Sequence, residues 1–356
     1  MRIKSIRAFR QNLALTKPYT IAYQTTSEVE NVFLEVELEN GLMGLGAANP
    51  SLEVVGESPE QAHQNLQSEW IAGLVGRDIR LFYTLIDEAH QQFPNAPGTL
   101  AALDIALHDA FGQFLGIPIV QFYGQKIRSL PTSVTIGIMN VADTLAEAAG
   151  YYSLGFRVLK VKTGLDAAED CERIIKLREV YGHSMTIRVD ANQGYSLADL
   201  QRFLTATRSA DVELIEQPLP VGLERELLSL PTEIRHLLTA DESLKGPEMA
   251  LKLAHQPQSF GIYNIKLMKC GGIKAALDIA TIARPANISL FWGCNDESRV
   301  SIAAALHAAF ACPNTRYLDL DGSLDLAEDV VSGGFILENG IMRPTDGAGL
   351  GLTRLS

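Results

Sequence analysis

The stretch that decides the fold runs from residue 156 to residue 190 and reads FRVLKVKTGLDAAEDCERIIKLREVYGHSMTIRVD. It begins with a short apolar run at 156–162 and ends with another at 186–190. The residues between the two runs are enough for one helix and two short loops. A strand, a helix and a second strand in this order predict one unit of a parallel α/β fold.

The same alternation continues on both sides of this stretch. Strands are predicted over 133–138, 156–162, 186–190, 212–216, 236–240, 261–267, 289–293 and 317–320. Markers at the carboxyl ends of seven of them recur every 25 to 28 residues, at Lys162, Asp190, Glu216, Asp241, Lys266, Gly293 and Asp319. Eight strands at this spacing favour a closed barrel over an open sheet.

The first 125 residues have a different pattern. Strands are predicted over 3–10, 31–38 and 44–48, with the turn signal Asn40-Gly41 before the third. Helices follow, one after Ser58 and one over about 97–116. We therefore predict an α+β domain over 1–125, a barrel over 126–325, and a segment over 326–356 that forms a hairpin and packs back on the first domain.

Composition excludes several classes of protein. The 356 residues include 30 Lys and Arg against 42 Asp and Glu, so a basic nucleic-acid surface is not expected. The sequence contains no apolar stretch of about 20 residues, so we expect no membrane span, and its first residues are not typical of a signal peptide. The four cysteines lack C-x-x-C spacing, which argues against a zinc site and a disulfide framework. We expect a cytoplasmic enzyme or binding protein.

Charged residues interrupt the apolar strands where a barrel enzyme keeps its active site. Lys160 and Lys162 lie two residues apart on one strand and therefore point to the same side. The next three strands each end in an acid, at Asp190, Glu216 and Asp241. A lysine pair alone is common at a solvated strand end, and a single acid commonly caps a helix. Three converging carboxylates, however, would repel one another by several kcal/mol.

A divalent cation would relieve that repulsion. Mg²⁺ prefers oxygen ligands and keeps coordination positions for water and substrate, whereas the seven histidines show neither H-x-H nor H-E-x-x-H spacing for zinc. Lys266 ends a strand four positions away from that of Lys162, which is across a ring of eight. The pattern predicts a magnesium site with an amine on each side.

The strand-end motifs occur in a recognisable order. They are KVK at 160–162, VDAN at 189–192, IEQP at 215–218, ADES at 240–243 and NIKLMKCGG at 264–272. Together with AALDIALHD at 101–109 and DGAGLG at 346–351, they resemble the muconate-lactonizing-enzyme subgroup of the enolase superfamily. The resemblance implies a modified (β/α)7β TIM-type barrel with an α+β N-terminal capping domain. It also implies Mg²⁺ held by Asp190, Glu216 and Asp241, an acid/base pair of Lys162 and Lys266, and Lys160 beside the substrate carboxylate.

Such a site is suited to moving a proton on the carbon next to a carboxylate. Mg²⁺ and Lys160 would stabilise the enediolate formed when that proton leaves. With one lysine on each face of the planar enediolate, one removes the proton and the other returns it from the opposite side. The predicted reaction is a 1,1-proton transfer, a racemisation or an epimerisation.

Asp319 and Asp321 indicate the substrate. This D-x-D pair resembles the one that binds the substrate α-ammonium group in dipeptide epimerases, and two carboxylates away from the metal need a cation. The alternative is an acid pair that caps the last helix. We predict a Mg²⁺-dependent epimerase that inverts the α-carbon of the C-terminal residue of an Ala-Xaa dipeptide. Alternatives are an N-acylamino-acid racemase, a cycloisomerase or an o-succinylbenzoate synthase of the subgroup, or a non-catalytic binding relative.

Side-chain selection is expected to come from the capping domain. Gln24 stands where the resemblance places an arginine in enzymes acting on Ala-Glu, so we predict an uncharged or hydrophobic Xaa. Asp296 is expected to approach the substrate ammonium and Thr135 to contact the substrate amide, with a solvated acid and a buried strand threonine as the alternatives. The resemblance also implies a homo-oligomer. The chirality of the dipeptide and the pathway stay open.

Overall fold

The computed structural model describes residues 1–21 and 24–355, and the side chains of residues 17–26 lie outside that description. The strands are β1 Ile3–Ile21, β2 Gln24–Leu38, β3 Met43–Ala48, β4 Leu130–Pro131, β5 Val134–Ile136, β6 Val158–Lys162, β7 Thr186–Asp190, β8 Ile215–Glu216, β9 Leu238–Ala240, β10 Ile262–Ile265, β11 Ser289–Trp292, β12 Thr315–Leu318, β13 Val331–Gly333, β14 Phe335–Glu338, β15 Ile341–Pro344 and β16 Leu352–Arg354.

The α-helices are α1 Leu52–Val55, α2 Pro59–Leu66, α3 Glu69–Ala72, α4 Phe82–Gln92, α5 Pro97–Leu115, α6 Ile119–Phe122, α7 Val141–Ser153, α8 Ala167–Tyr181, α9 Leu197–Ala206, α10 Thr232–Arg235, α11 Pro247–Leu253, α12 Leu267–Cys270, α13 Ile273–Ala283 and α14 Arg299–Ala311. Short 3₁₀ helices occupy Ile79–Leu81, Gly182–Ser184, Arg208–Ala210 and Glu224–Ser229. None of the helices in the described residues is long and apolar enough to cross a membrane.

The predicted barrel is confirmed. Strands β5 to β12 form one parallel sheet in which each strand pairs with its neighbours in chain order. The sheet closes through a parallel bridge between Thr132 and Leu318, beside which the Ser133 amide donates to the Leu318 carbonyl at 3.0 Å. Parallel strands need a crossover between them and are covered on both faces, which explains why the sequence alternates short apolar runs with helices.

Several barrel strands are shorter than predicted. The run at 212–216 contributes only Ile215–Glu216 as β8, because the ladder below it is irregular. Hydrogen bonds nevertheless continue there, from Glu213 N to Ile187 O at 2.9 Å and from Val189 N to Leu214 O at 3.1 Å. The last strand lies earlier than predicted, over Thr315–Leu318, so Asp319 and Asp321 follow it instead of belonging to it.

The N-terminal strands are longer than predicted. Strands β1 and β2 pair as an antiparallel arm that extends far beyond 3–10 and 31–38. Leu13 and Leu15 are buried in this arm and keep the period of two that a strand requires. The arm reaches the loop after β12, where the Thr16 amide donates to the Asp325 carbonyl at 2.7 Å. The capping segment thus contacts the mouth of the barrel.

Helix α5, which contains the AALDIALHD motif, joins three parts of the chain. Its Asp104 carboxylate accepts hydrogen bonds from the amides of Ile273 at 2.7 Å and Lys274 at 3.1 Å, at the start of α13. Its Asp109 carboxylate accepts from Leu45 in β3 at 2.9 Å and from Leu350 near the C-terminus at 2.8 Å. The two acids of this motif therefore accept hydrogen bonds from backbone amides of the barrel, the capping domain and the C-terminal segment.

The C-terminal segment contacts both larger parts of the molecule. The β14–β15 hairpin is present, and β15 pairs with β4, which immediately precedes the first barrel strand. A bridge between Gly349 and Pro118 lies at the end of the capping helices. The domain boundaries at 125/126 and 325/326 stay a prediction.

Two glycines provide a matched test of the packing between β3 and α5. A Cβ atom on Gly46 would lie 1.9 Å from the Ala102 carbonyl oxygen, whereas one on Gly150 in α7 would meet nothing within 4 Å. We expect Gly46→Ala to lower the free energy of unfolding by about 3 kcal/mol because the helix must move away. Gly150→Ala should raise it by about 0.5–1 kcal/mol through the helix propensity of alanine. Urea denaturation midpoints that shift equally for both variants would contradict this packing.

Candidate active site

The ammonium group of Lys160 lies among three carboxylates inside the barrel. Its Nζ atom is 2.5 Å from Asp319 Oδ2, 3.4 Å from Asp190 Oδ2 and 3.5 Å from Glu216 Oε2, and its side chain is only 4% exposed. Burial lowers the pKa of this amine, but the surrounding carboxylates outweigh burial and hold the pKa well above its ordinary value. Lys160 is therefore a fixed positive charge.

Lys162 projects from the same side of β6, two residues closer to the mouth. Its Nζ atom donates to Asp190 Oδ2 at 2.7 Å and to Asn192 Oδ1 at 2.9 Å, and its side chain is 29% exposed. Asn192 adopts a left-handed backbone with a φ of 42°, which turns its side chain toward the amine. Lys162 thus combines a fixed position with access to the mouth.

The register of the barrel places the three predicted acids side by side. Lys162 pairs with Asp190 across β6 and β7, and Asp190 pairs with Glu216 across β7 and β8. Asp241 follows the end of β9, and all three acids are buried. Because neighbouring parallel strands end at one edge of the sheet, their carboxylates share the same depth.

The three carboxylates differ in charge state. Burial raises the pKa of Asp190, but Lys162 and Lys160 lower it further, so the net shift is downward. Asp241 is likewise shifted downward, because Lys266 and Lys269 outweigh its burial. Burial, together with the nearby Asp190 and Asp241, raises the pKa of Glu216 to about 8. One of the three acids therefore carries a proton near neutral pH.

Lys266 and a further lysine hold Asp241 from two sides. Lys266 Nζ lies 3.0 Å from Asp241 Oδ2, while Lys269 Nζ donates to Asp241 Oδ1 and to the Asp241 carbonyl oxygen, the latter at 2.6 Å. Lys269 was not predicted. The signal was its spacing, because Lys266 immediately precedes the short helix α12 and Lys269 follows it by three residues, about one helical turn.

Asn264 is a second contact that the sequence did not reveal. Its Nδ2 atom donates to Glu216 Oε1 at 2.6 Å. A Cβ atom on Gly293 would lie 2.6 Å from Asn264 Oδ1, so the glycine at the end of β11 leaves the room that this amide needs. The other carboxylate oxygen of Glu216, Oε2, is buried without a hydrogen-bond partner among the described residues.

The donor set fits Mg²⁺. Lysine amines lie between the carboxylates, and in the described part of the chain no three acid, histidine or cysteine side chains stand close enough to enclose an ion as placed. Glu216 Oε2 accepts no hydrogen bond within the described residues, and burial beside Asp190 and Asp241 raises the pKa of this acid, so a divalent cation at these carboxylates would stabilise its charged form. Carboxylate oxygens are the ligands that Mg²⁺ prefers. Asp190, Glu216 and Asp241 are therefore the residues that would hold it.

The second acid pair, Asp319 and Asp321, lies where the first and last barrel strands meet to close the sheet. Asp319 Oδ1 accepts from the Ser133 hydroxyl at 2.6 Å, and Asp321 Oδ2 accepts from the Thr135 amide at 2.8 Å. Burial and the neighbouring Asp319 raise the pKa of Asp321 to about 7. Thr135, predicted to contact the substrate, also holds Asp321 through its backbone.

The remaining predicted residues lie in the surrounding loops. Asp296 is half-buried in the loop after β11, where its charge contributes to raising the pKa of Glu297. Its neighbour Glu297, which was not predicted, is buried and accepts from the Asn295 amide at 2.8 Å, and burial raises its pKa to about 7. The side chain of Gln24 lies outside the described residues.

Family models match most of the chain. Residues 3–124 match the mandelate racemase / muconate lactonizing enzyme N-terminal domain, and residues 143–354 match the enolase C-terminal domain-like family. The chain belongs to the enolase superfamily. The protein is an isomerase of this superfamily, and Mg²⁺ is its cofactor.

Several individual relatives are similar to this chain over its full length. The chain is 52% identical to the L-Lys-D/L-Arg epimerase of Desulforapulum autotrophicum over 355 residues, covering 100% of both chains. It is 51% identical to the L-Lys-D/L-Arg epimerase of Methylococcus capsulatus, covering 99% of both. A crystal structure of the Methylococcus capsulatus dipeptide epimerase complexed with Mg and L-Arg-D-Lys matches with a TM-score of 0.96 and 51% identity over 99% of this chain and 100% of that one.

These relatives bear on the expected substrate. The Ala-Xaa type is not supported, because both proteins that share half of their residues with this chain are named for lysine and arginine. A hydrophobic dipeptide epimerase from Enterococcus faecalis is more distant, at 31% identity over 99% of this chain and 100% of its own length. The absence of an arginine at position 24 argued against Ala-Glu, but it did not specify another side chain.

The raised pKa of Glu216 predicts how Mg²⁺ binding depends on pH. Below about pH 8 the metal must displace the Glu216 proton, so affinity should fall about tenfold per pH unit, and above that pH it should level off. Asp190 and Asp241 do not titrate in this window, because their pKa values are lowered. Calorimetry in buffers from about pH 6 to about pH 9 measures the effect.

A matched pair of variants tests whether Glu216 is the source of this pH dependence. Glu216→Gln should bind Mg²⁺ weakly and without the pH dependence, whereas Glu233→Gln, at an exposed carboxyl on α10, should behave as the wild type. A wild-type affinity that is flat below pH 8 would contradict the assignment.

Proposed function

We propose that the protein is a Mg²⁺-dependent dipeptide epimerase that acts on dipeptides of lysine and arginine and inverts the α-carbon of the C-terminal residue. The observation that carries this proposal is the full-length identity of 51–52% with two L-Lys-D/L-Arg epimerases. Lys162 ends strand β6 and Lys266 directly follows strand β10, and the position of these two strands four places apart in the barrel supports the chemistry.

The two lysines are suited to act from opposite faces of the substrate. Mg²⁺, when bound, supplies positive charge at the substrate carboxylate, where negative charge develops. Lys160, a fixed cation, donates to the same group. Lys162 and Lys266 exchange the α-proton, one removing it and the other returning it to the opposite face. The direction of the reaction decides which lysine acts as the base.

Lys266 in the described state is ready to donate. Burial lowers its pKa, but Asp241 and Glu216 outweigh burial and raise it above the ordinary value, so the amine is protonated. Neutralising these two carboxylates removes that support and brings the pKa of Lys266 down toward the range of a base. The same acids that would hold the cation therefore set the proton affinity of the lysine.

The charge around the mouth favours a cationic substrate. The loops at 294–298 and 319–329 contain no lysine or arginine and carry seven acids, at Asp296, Glu297, Asp319, Asp321, Asp325, Glu328 and Asp329. Burial raises the pKa values of Glu297 and Asp321 to about 7, so these two are only partly charged at neutral pH. A dipeptide of lysine and arginine has a net positive charge at neutral pH, since its two side chains and its α-ammonium outweigh one carboxylate. An acidic mouth attracts and orients such a molecule.

Proton NMR in D₂O with Mg²⁺ tests the proposal. We expect α-deuterium exchange at the C-terminal residue of L-Lys-L-Arg and L-Arg-L-Lys, with rates at least about tenfold above those for L-Ala-L-Glu and L-Leu-L-Tyr, because one charged contact in a buried site is worth that factor. Faster exchange with N-succinyl-arginine than with any dipeptide would instead support an N-acylamino-acid racemase.

Single-lysine variants test the two-base mechanism. Lys162→Ala and Lys266→Ala should each abolish epimerisation, because one face of the substrate loses its proton donor or acceptor. Each variant should still exchange the α-proton of the one epimer whose proton faces the remaining lysine. Lys274→Ala, on α13 and paired with Asp87, is the matched control and should keep the wild-type rate. Exchange from both epimers in either active-site variant would contradict two opposed bases.

A further inference from the structure

The main chain of Lys162 is held by a buried arginine on the helix that follows its strand. Arg173, in α8, is 2% exposed, and its Nη2 atom donates to the Lys162 carbonyl oxygen at 2.9 Å. The same nitrogen donates to Asp170 Oδ1 at 2.5 Å, about one turn earlier on α8. Because a guanidinium is planar and always charged, it fixes the atoms that it binds. Arg173 therefore ties the end of β6 to the helix behind it.

Asp170 extends this contact to the loops after β6 and β7. Its Oδ2 atom accepts from the Gly164 amide at 2.8 Å and from the Tyr195 hydroxyl at 2.7 Å. Asp170 is 1% exposed and Tyr195 is 2% exposed, so these hydrogen bonds lie in surroundings of low dielectric constant, which strengthen them. The side chains of Arg173, Asp170 and Tyr195 thus form one buried network, the α8 network.

The two loops that the α8 network joins touch each other through glycines. A Cβ atom on Gly164 would lie 2.4 Å from the Ala191 carbonyl oxygen, and one on Gly194 would lie 2.3 Å from the Gly164 carbonyl oxygen. Between these contacts lies Asn192, whose Oδ1 atom accepts from Lys162 Nζ at 2.9 Å. Since the loops are closely packed, displacement of one must displace the other, together with the amide that orients the Lys162 amine.

Lys266, the other base of the proposed reaction, is held in a different way. Its carbonyl oxygen accepts from the amides of Lys269 at 3.0 Å and Cys270 at 3.3 Å, which are backbone groups of α12. Strand β10, which precedes Lys266, lies three places beyond β7 in the sheet. The α8 network can therefore act on one lysine without acting on the other.

We propose that Arg173, Asp170 and Tyr195 are positioning residues for Lys162, which hold its main chain and the Asn192 loop so that its amine reaches the α-carbon from one face. The inference rests on the proposed function, because it takes Lys162 as one of two opposed bases. Loss of the α8 network moves Lys162 and leaves Lys266 in place, so the two faces of the substrate are affected unequally. A network that only stabilised the fold would affect both faces alike.

Deuterium exchange from L-Lys-L-Arg and from L-Lys-D-Arg measures the two faces separately. In D₂O with Mg²⁺, Arg173→Met should lower the initial exchange rate of one epimer by about 100-fold, because a displacement of about 1 Å at a reacting group has an effect of that size. Exchange from the other epimer should stay within about threefold of the wild type, because Lys266 still removes and returns its proton. The epimer that is spared should be the one that Lys162→Ala also spares.

Two further variants separate positioning from loss of stability. Tyr195→Phe removes one hydroxyl and no charge, and it should spare the same epimer with a smaller loss on the other, about tenfold. Tyr263→Phe is the matched control, because this buried hydroxyl on β10 also donates at 2.7 Å, but to the Ala250 carbonyl on α11. It should leave the ratio of the two exchange rates within about twofold of the wild type. Melting temperatures establish that all three variants are folded.

The possible outcomes separate this inference from the proposed function. Equal losses on both epimers in Arg173→Met and Tyr195→Phe would overturn the inference, as would sparing of the epimer that Lys266→Ala spares. If the wild type exchanges no dipeptide, the proposed function fails, and crystal structures test the inference without substrate. Lys162 Nζ should then lie more than about 1 Å from its wild-type position in Arg173→Met, and an unmoved Lys162 would overturn the inference.

Discussion

The structure depends on a buried network of lysine and carboxylate groups at the carboxyl ends of the barrel strands. Isolated buried charges cost several kcal/mol each, so neither the acids nor the amines could be buried alone. The parallel register brings Lys162, Asp190 and Glu216 to one level, and Lys160 bridges them to Asp319. Burial beside Asp190 and Asp241 nevertheless raises the pKa of Glu216, and its Oε2 accepts no hydrogen bond within the described residues. A divalent cation bound by these three acids would offset their negative charge.

The capping elements contact the barrel next to this network of charged groups. Helix α5 reaches the barrel through Asp104, which caps the helix that follows the Lys266 segment. The β1–β2 arm contacts the loop after β12, so it borders the side of the mouth where Asp319 and Asp321 lie. The capping elements therefore meet the barrel at the edge where the strand-end acids and lysines lie.

Motif spacing predicted the parts of the site that repeat along the chain. The strand-end acids and lysines could be found because each occupies the same place in a strand–helix unit. Ser133 could not be found that way, since it meets Asp319 across 186 residues and only barrel closure brings them together. Lys269 and Asn264 were missed because their partners are backbone or carboxylate groups on a neighbouring strand. The Ala-Xaa prediction was not supported, because a missing arginine at position 24 excludes one side chain without specifying another.

A crystal structure of the protein with Mg²⁺ and L-Arg-D-Lys measures the central geometry directly. Lys162 Nζ and Lys266 Nζ should lie on opposite faces of the α-carbon of the C-terminal residue, each within about 3.5 Å of the position of its α-proton or of the carbon itself. The three carboxylates of Asp190, Glu216 and Asp241 should surround the metal. Both amines on one face of that carbon, or either amine beyond reach of it, would contradict a 1,1-proton transfer between two opposed lysines.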